Sequence, residues 1–260
     1  GQYDKEGCQN ECGAGQQAGP GTGTVVVRFR RHDTQVITRV TAFSESLEYG
    51  RRWMRNTTPA QLKIGLALGG GSARGYAHIG VLQVLEEHGL RPALLAGTSF
   101  GALVAALYAA GLSTQDLEDT ALSTRGRDLL RSIPDFGLHR AALFEGRRLE
   151  EYFDRIVAGR HFEDLLTPLK VAATDVDTGQ VVMLESGPLA PALRASASLP
   201  GIFAPVPLAG RRLADGGLGA SVPLSALPAE GELDLRIGVG AGLAVRTSAA
   251  PGVVRRVAAT

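Results

Sequence analysis

From residue 63 onward the chain alternates between two hydrophobic periods. Ile64, Leu66 and Leu68 occupy every second position of a short run that ends in Gly69-Gly70-Gly71, the pattern of a strand followed by a sharp turn. Ile79, Val81, Leu82, Val84 and Leu85 then recur at helical spacing up to His88-Gly89, where the glycine suits a C-terminal cap. An apolar strand over Ala93 to Ala96 leads into Gly97, and a helix rich in alanine and leucine follows from Ala102. Further on, Leu149, Tyr152, Phe153, Ile156 and Val157 share one helical stripe. Leu169 to Thr174 and Val181 to Leu184 read as strands of a hairpin around Asp177-Thr178-Gly179, and short strands are predicted at Leu213-Ala214 and from Leu233 to Val239. This alternation predicts an α/β domain with a mainly parallel central sheet, whose active site would lie at the carboxyl ends of strands.

The first 60 residues lack such order. Residues 1–23 are rich in Gly and Gln without a hydrophobic period, the composition of a tail that cannot bury enough apolar surface to fix itself. Valine-rich pieces between Thr24 and Val40 flank Arg28, Arg30 and Arg31 and predict a marginal hairpin with no strong turn signal. The cluster Arg51, Arg52, Trp53, Met54, Arg55 reads as a solvated linker or as a contact with an anionic membrane surface. The division is therefore a poorly ordered extension over 1–60 and one domain over 61–260.

Composition excludes more than it suggests. Lys and Arg total 27 against 26 for Asp and Glu, so charge gives no footing for nucleic acid. Cys8 and Cys12, the only cysteines, build neither a disulfide framework nor a zinc site. No run approaches the roughly 20 apolar residues of a membrane span, and Gly1 to Gly23 carries no apolar core of a secretory signal. The expectation is a soluble, cytoplasmic protein that meets membranes peripherally if at all.

Chemistry concentrates in three places. Gly97-Thr98-Ser99-Phe100-Gly101 lies between an apolar strand and a helix, the form of a nucleophile elbow, with Ser99 at the helix N-terminus. Gly69-Gly70-Gly71-Ser72-Ala73-Arg74-Gly75 supplies unshielded backbone N–H groups of the kind an oxyanion needs. A phosphate-binding loop is the competing reading, but no Lys-Ser or Lys-Thr follows the glycines and the next strand ends in the serine elbow rather than in an acidic residue. Of His32, His78, His88, His139 and His161, none stands late enough for the Ser, acid, His order. His139 and His161 remain formal candidates but read as surface residues, and His78, one turn into the helix after the glycine loop, could face the site but reads as structural. Leu213-Ala214-Asp215-Gly216-Gly217 instead places a carboxylate at a strand end with two glycines behind it, a base candidate that is also a common hairpin turn.

Taken together the blocks resemble the patatin-like phospholipase family, the group that includes tuber patatins and relatives of neuropathy target esterase. Four blocks match in order: the loop from Gly69 to Gly75, the elbow from Gly97 to Gly101, Arg194-Ala195-Ser196-Ala197-Ser198-Leu199-Pro200-Gly201 with Phe203, Pro205 and Val206, and Asp215-Gly216-Gly217. The resemblance covers about residues 63 to 240. It implies a three-layer α/β/α fold, no metal or cofactor, and hydrolysis of phospholipid, lysophospholipid or neutral acyl-lipid esters by a Ser–Asp dyad. Ser99 would be the nucleophile, Asp215 the base, and Gly69, Gly70 and Gly71 the oxyanion loop, with N–H donors around Gly70 and Gly71. Arg74, Gly97, Gly101, Gly216 and Gly217 would support them, Arg74 either holding the loop or meeting a lipid phosphate. Bacterial relatives continue with a longer helical C-terminal part, so the domain reads as short at its end. A weakly active lipid-binding protein of the same fold is the alternative.

Overall fold

The computed structural model describes residues 22–31, 34–43, 62–123, 135, 142–228 and 232–241. In chain order its strands are β1 (Thr22–Arg31), β2 (Thr34–Phe43), β3 (Ile64–Leu68), β4 (Pro92–Thr98), β5 (Ala142–Phe144) and β6 (Leu169–Asp175). They continue with β7 (Val181–Leu184), β8 (Gly201–Phe203), β9 (Val206–Leu208), β10 (Arg211–Asp215) and β11 (Leu235–Gly240). The helices are α1 (Ala77–Glu87), α2 (Phe100–Ala109), α3 (Thr114–Ser123), α4 (Arg147–Val157) and α5 (Leu189–Ser196).

Strand alternation divides the core into two faces. Ile64, Leu66 and Leu68 of β3 and Leu95 of β4 point into one large apolar cluster shared with all five helices. The intervening Ala67 and Ala96 face the other way, onto Ala226 and Leu227, as the period of two requires. The second layer is thin among the described residues, and Gly65 shows why: an added Cβ there would stand 2.5 Å from Leu233. Each fully buried leucine of this core contributes about 1.5–3 kcal/mol relative to exposure. α2 is buried along nearly its whole length, as expected of a helix apolar on every side. It packs against β4 on one hand and α3 to α5 on the other.

The central strands β11, β3, β4 and β6 run parallel. Antiparallel strands flank them: β2 against β11, β10 against β6, and β9 against β10. β6 and β7 form the anticipated hairpin, with Gly179 at φ 71° in its turn. α1 closes as its sequence suggests: Gly89 takes φ 68° and the Leu90 N–H reaches back to the Leu85 carbonyl at 2.8 Å.

A hairpin is present where the valine-rich pieces predicted one, with Val25 opposite Val40. β2 continues the sheet through β11, so the sheet reaches into the stretch assigned to a poorly ordered extension. The physical reason is a partner distant in sequence: β11 offers a second edge that a marginal hairpin alone does not have. Residues 1–21 and 44–61, including the Arg51 to Arg55 cluster, lie outside the described residues.

Candidate active site

β6 brings the two sequence-predicted side chains together. β7 covers one edge of β6 from Val171 to Thr174, so β4 and β10 must share the other. β4 runs parallel to β6 and leaves it at Thr98, opposite Ala172, whereas β10 runs antiparallel and leaves it at Asp215, opposite Ala173. The two strands thus meet end to end, and the residues at their ends, Ser99 and Asp215, face each other across consecutive positions of β6.

Between β4 and α2 the chain turns sharply. Ser99 adopts φ 52° and ψ −122°, a conformation that L-residues rarely hold unless their surroundings impose it. The flanking glycines make the turn fit: a Cβ at Gly97 would lie 2.4 Å from the Ala102 Cα, and one at Gly101 would lie 2.3 Å from the Leu68 carbonyl oxygen. Because the obstacles are backbone, Gly101→Ala is expected to destabilise the protein by about 1–3 kcal/mol or more. Its chemical denaturation midpoint should fall accordingly, and an unchanged midpoint would contradict this packing. The Ser99 N–H donates to the Ser196 hydroxyl at 2.7 Å, and that hydroxyl donates in turn to the Ala172 carbonyl at 2.6 Å.

Asp215 is 8% exposed. Its Oδ1 accepts the Gly217 N–H at 2.6 Å, and its carboxylate lies beside the Ser99 side chain. Burial pushes the carboxyl above the usual aspartate range, and the Gly217 N–H and the neighbouring Ser99 side chain pull it partly back. Gly216 must be glycine, since a Cβ there would stand 2.3 Å from the Ala172 carbonyl oxygen.

The glycine loop passes alongside. An ideal Cβ on Gly70 would be 3.6 Å from the Ser99 Cβ, so the loop borders the nucleophile candidate. Two of its three donors are engaged, however: the Gly69 N–H bonds Val239 O at 2.8 Å and the Gly70 N–H bonds Ser221 O at 2.9 Å. The Gly71 N–H has no acceptor among the described residues. His78 lies fully buried under the loop, donating Nε2–H to the Gly69 carbonyl at 2.7 Å and leaving Nδ1 without a partner among the described residues. Burial lowers its pKa, which keeps the ring neutral.

A cavity of about 270 Å³ is lined by Ser99. Phe100, Leu103 and Leu107 follow its wall along α2, while Leu149 and Phe153 of α4 and Phe203 of β8 close it. No charged side chain contributes among the described residues. The anticipated stripe of α4 is therefore both core and cavity wall. From Ser99 to Leu107 the wall extends about 12 Å at helical rise.

The patatin-like phospholipase profile matches residues 66–228. The chain belongs to that family. It is 39% identical over 163 residues to an uncharacterized NTE family protein of Mycobacterium bovis, covering 63% of this chain and 45% of that one. Lysophospholipase NTE1 of Scheffersomyces stipitis is 32% identical over 170 residues, covering 65% of this chain and 11% of the relative. The chain thus spans less than half the length of these curated relatives. Among solved structures, VipD from Legionella pneumophila matches with a TM-score of 0.51 at 14% identity, over 74% of this chain and 49% of that one, a likeness of fold.

Within this patatin-like site the structure joins Ser99, Asp215, Gly70, Gly97, Gly101, Gly216 and Gly217 in one place. It departs from expectation at the loop, where Gly69 and Gly70 are engaged as described and Gly71 is left as the donor. The reason is that Gly69 prolongs the ladder between β3 and β11 by one bond, a pairing no local pattern reveals. Arg74 is exposed and directs Nε toward the Gly71 carbonyl at 3.5 Å, a long contact within the loop. His161 is exposed beside Glu163 and does not line the cavity. His139 lies outside the described residues. Sequence reading quoted Ser196 within a motif but gave it no part, because its partners, Ser99 and Ala172, are remote along the chain. No helix among the described residues is long and apolar enough to cross a membrane.

Proposed function

We propose that this chain is a serine lipid acyl hydrolase of the phospholipase A, lysophospholipase or esterase type. The observation that carries the reading is the meeting of Ser99, at the wall of an uncharged apolar cavity, with the buried Asp215 carboxylate at adjoining strand ends on β6. Ser99 Oγ attacks the acyl carbonyl carbon while its proton passes to Asp215. The Gly71 N–H and the free N–H groups opening α2 face the oxyanion that forms. Collapse expels the alcohol or lysolipid, which takes the proton from Asp215. Water then loses a proton to Asp215 and attacks the acyl-serine, and as the fatty acid leaves Asp215 returns that proton to Ser99 Oγ, restoring both residues. The acyl chain lies in the slot along α2, so no charged group is needed to hold it. The polar glycerol or headgroup remains toward solvent and Arg74.

Membership of the patatin-like family supports an acyl-lipid substrate, and the cavity supports a single apolar chain at the reacting ester. Incubation of the purified chain with phosphatidylcholine, lysophosphatidylcholine and p-nitrophenyl butanoate is expected to release acid from at least one. Folded protein that hydrolyses none of them would overturn the reading.

A further inference from the structure

We propose that Ser196 is the positioning residue of this site, its hydroxyl holding the strained backbone of Ser99 at the spacing that Asp215 requires. The inference rests on the dyad reading above and deepens it. Ser99 sits at a positive φ, a conformation that persists only where the surroundings over-determine it. Its carbonyl is fixed by the first turn of α2, accepting from Ala102 N–H at 3.0 Å and Leu103 N–H at 3.2 Å. On the amide side, the Ser99 N–H has the Ser196 hydroxyl at 2.7 Å.

That hydroxyl does two tasks at once, because a serine offers one donor and two lone pairs. It accepts from Ser99 and donates to Ala172 O at 2.6 Å, and the residue is fully buried. Ala172 is where β4 ends against β6, and Ala173 beside it is where β10 ends. Ala172 O also stands against Gly216, next to the base. One hydroxyl therefore ties the nucleophile's backbone to the β6 position that both strand ends share.

The residues after Ser196 continue the pattern. Ala197 lines the cavity, and the Ser198 carbonyl accepts the Asp215 N–H at 2.9 Å. Three consecutive residues thus touch the nucleophile, the slot and the base in turn. Arg194, buried two positions earlier, anchors this end of α5 by donating to the carbonyls of Gly146 at 2.9 Å and Ala204 at 3.2 Å, and also to Glu145. The hydrogen bonds of Ser196 and of the Arg194 guanidinium end on backbone of other elements, which fixes geometry without taking part in chemistry.

The test compares wild type, Ser196→Ala and the isosteric pair Ser196→Thr and Ser196→Val on p-nitrophenyl butanoate across pH. Thr and Val crowd the site alike and differ only in the hydroxyl. Ser196→Ala is expected to lower kcat by about 10- to 100-fold, the effect of an ångström-scale displacement, with KM changed by about twofold at most. Ser196→Thr should exceed Ser196→Val by a similar ratio. The acid limb of the rate profile should move to higher pH in Ser196→Ala, because a displaced Ser99 side chain no longer favours the ionised form of the Asp215 carboxylate. A hydroxyl with only a packing role would leave that limb in place.

Equal rates for the Thr and Val variants, a loss of rate with an unmoved acid limb, or a Ser196→Ala protein that does not fold would each overturn the proposal. Failure of the underlying reading looks different. In that case wild type itself takes no fluorophosphonate on Ser99, whatever the Ser196 variants do.

Discussion

Asp215→Asn is expected to lose about 10³-fold in kcat at every pH at which the protein is folded, within the range that positioned acid–base groups supply. The amide keeps the shape and still accepts the Gly217 N–H, but it cannot take the Ser99 proton. In wild type the carboxylate must be ionised to act, and burial holds its pKa above the ordinary 3.8. Activity should therefore fall as pH drops through that raised value, at a higher pH than a solvated aspartate would give. The residual rate of the Asn variant should be flat over the same interval.

Stability separates loss of the base from loss of the fold. A carboxyl whose pKa is raised by folding favours the native state below its unfolded pKa and loses that contribution as pH rises through the folded value. At neutral pH the buried, ionised Asp215 is thus a cost, so the Asn variant should melt no lower than wild type. A melting temperature well below wild type would show that Asp215 acts mainly as a structural residue.

Ser99→Ala is expected to reduce turnover by about 10⁴-fold or more, because the nucleophile and its proton both vanish. The fold should survive. Ala carries the same Cβ at the same strained φ, the Ser99 N–H bond to Ser196 involves backbone only, and the cavity loses one hydroxyl at its wall. Circular dichroism and melting temperature close to wild type, together with vanishing hydrolysis, are the expected pair of results. Turnover within tenfold of wild type would move the nucleophile elsewhere.

Much of this was legible in the chain because the signals are local. The run from β3 through the glycine loop, α1, β4, the elbow and α2 is continuous in sequence, and each piece carries its own period, cap or glycine. The β6–β7 hairpin likewise announces itself through Asp177-Thr178-Gly179. What stayed hidden depends on partners far apart. The end-to-end meeting of β4 and β10 is a property of register on β6, and the antiparallel flanks of the sheet arise from pairings such as β2 with β11. The engagement of the Gly69 and Gly70 N–H groups follows from Val239 and Ser221, more than a hundred residues away. The Ser196 bond to Ser99 spans 97 positions. Motif reading therefore finds the residues that react more readily than those that hold them.

The account stands most directly on where a covalent acyl mimic attaches. Folded protein treated with a fluorophosphonate, digested and mapped by mass spectrometry, should carry the adduct on Ser99. Labelling should be abolished in Ser99→Ala and slowed strongly in Asp215→Asn. An adduct on any other residue, or none on protein shown to be folded, would contradict the assignment of Ser99 and Asp215 as the reacting pair.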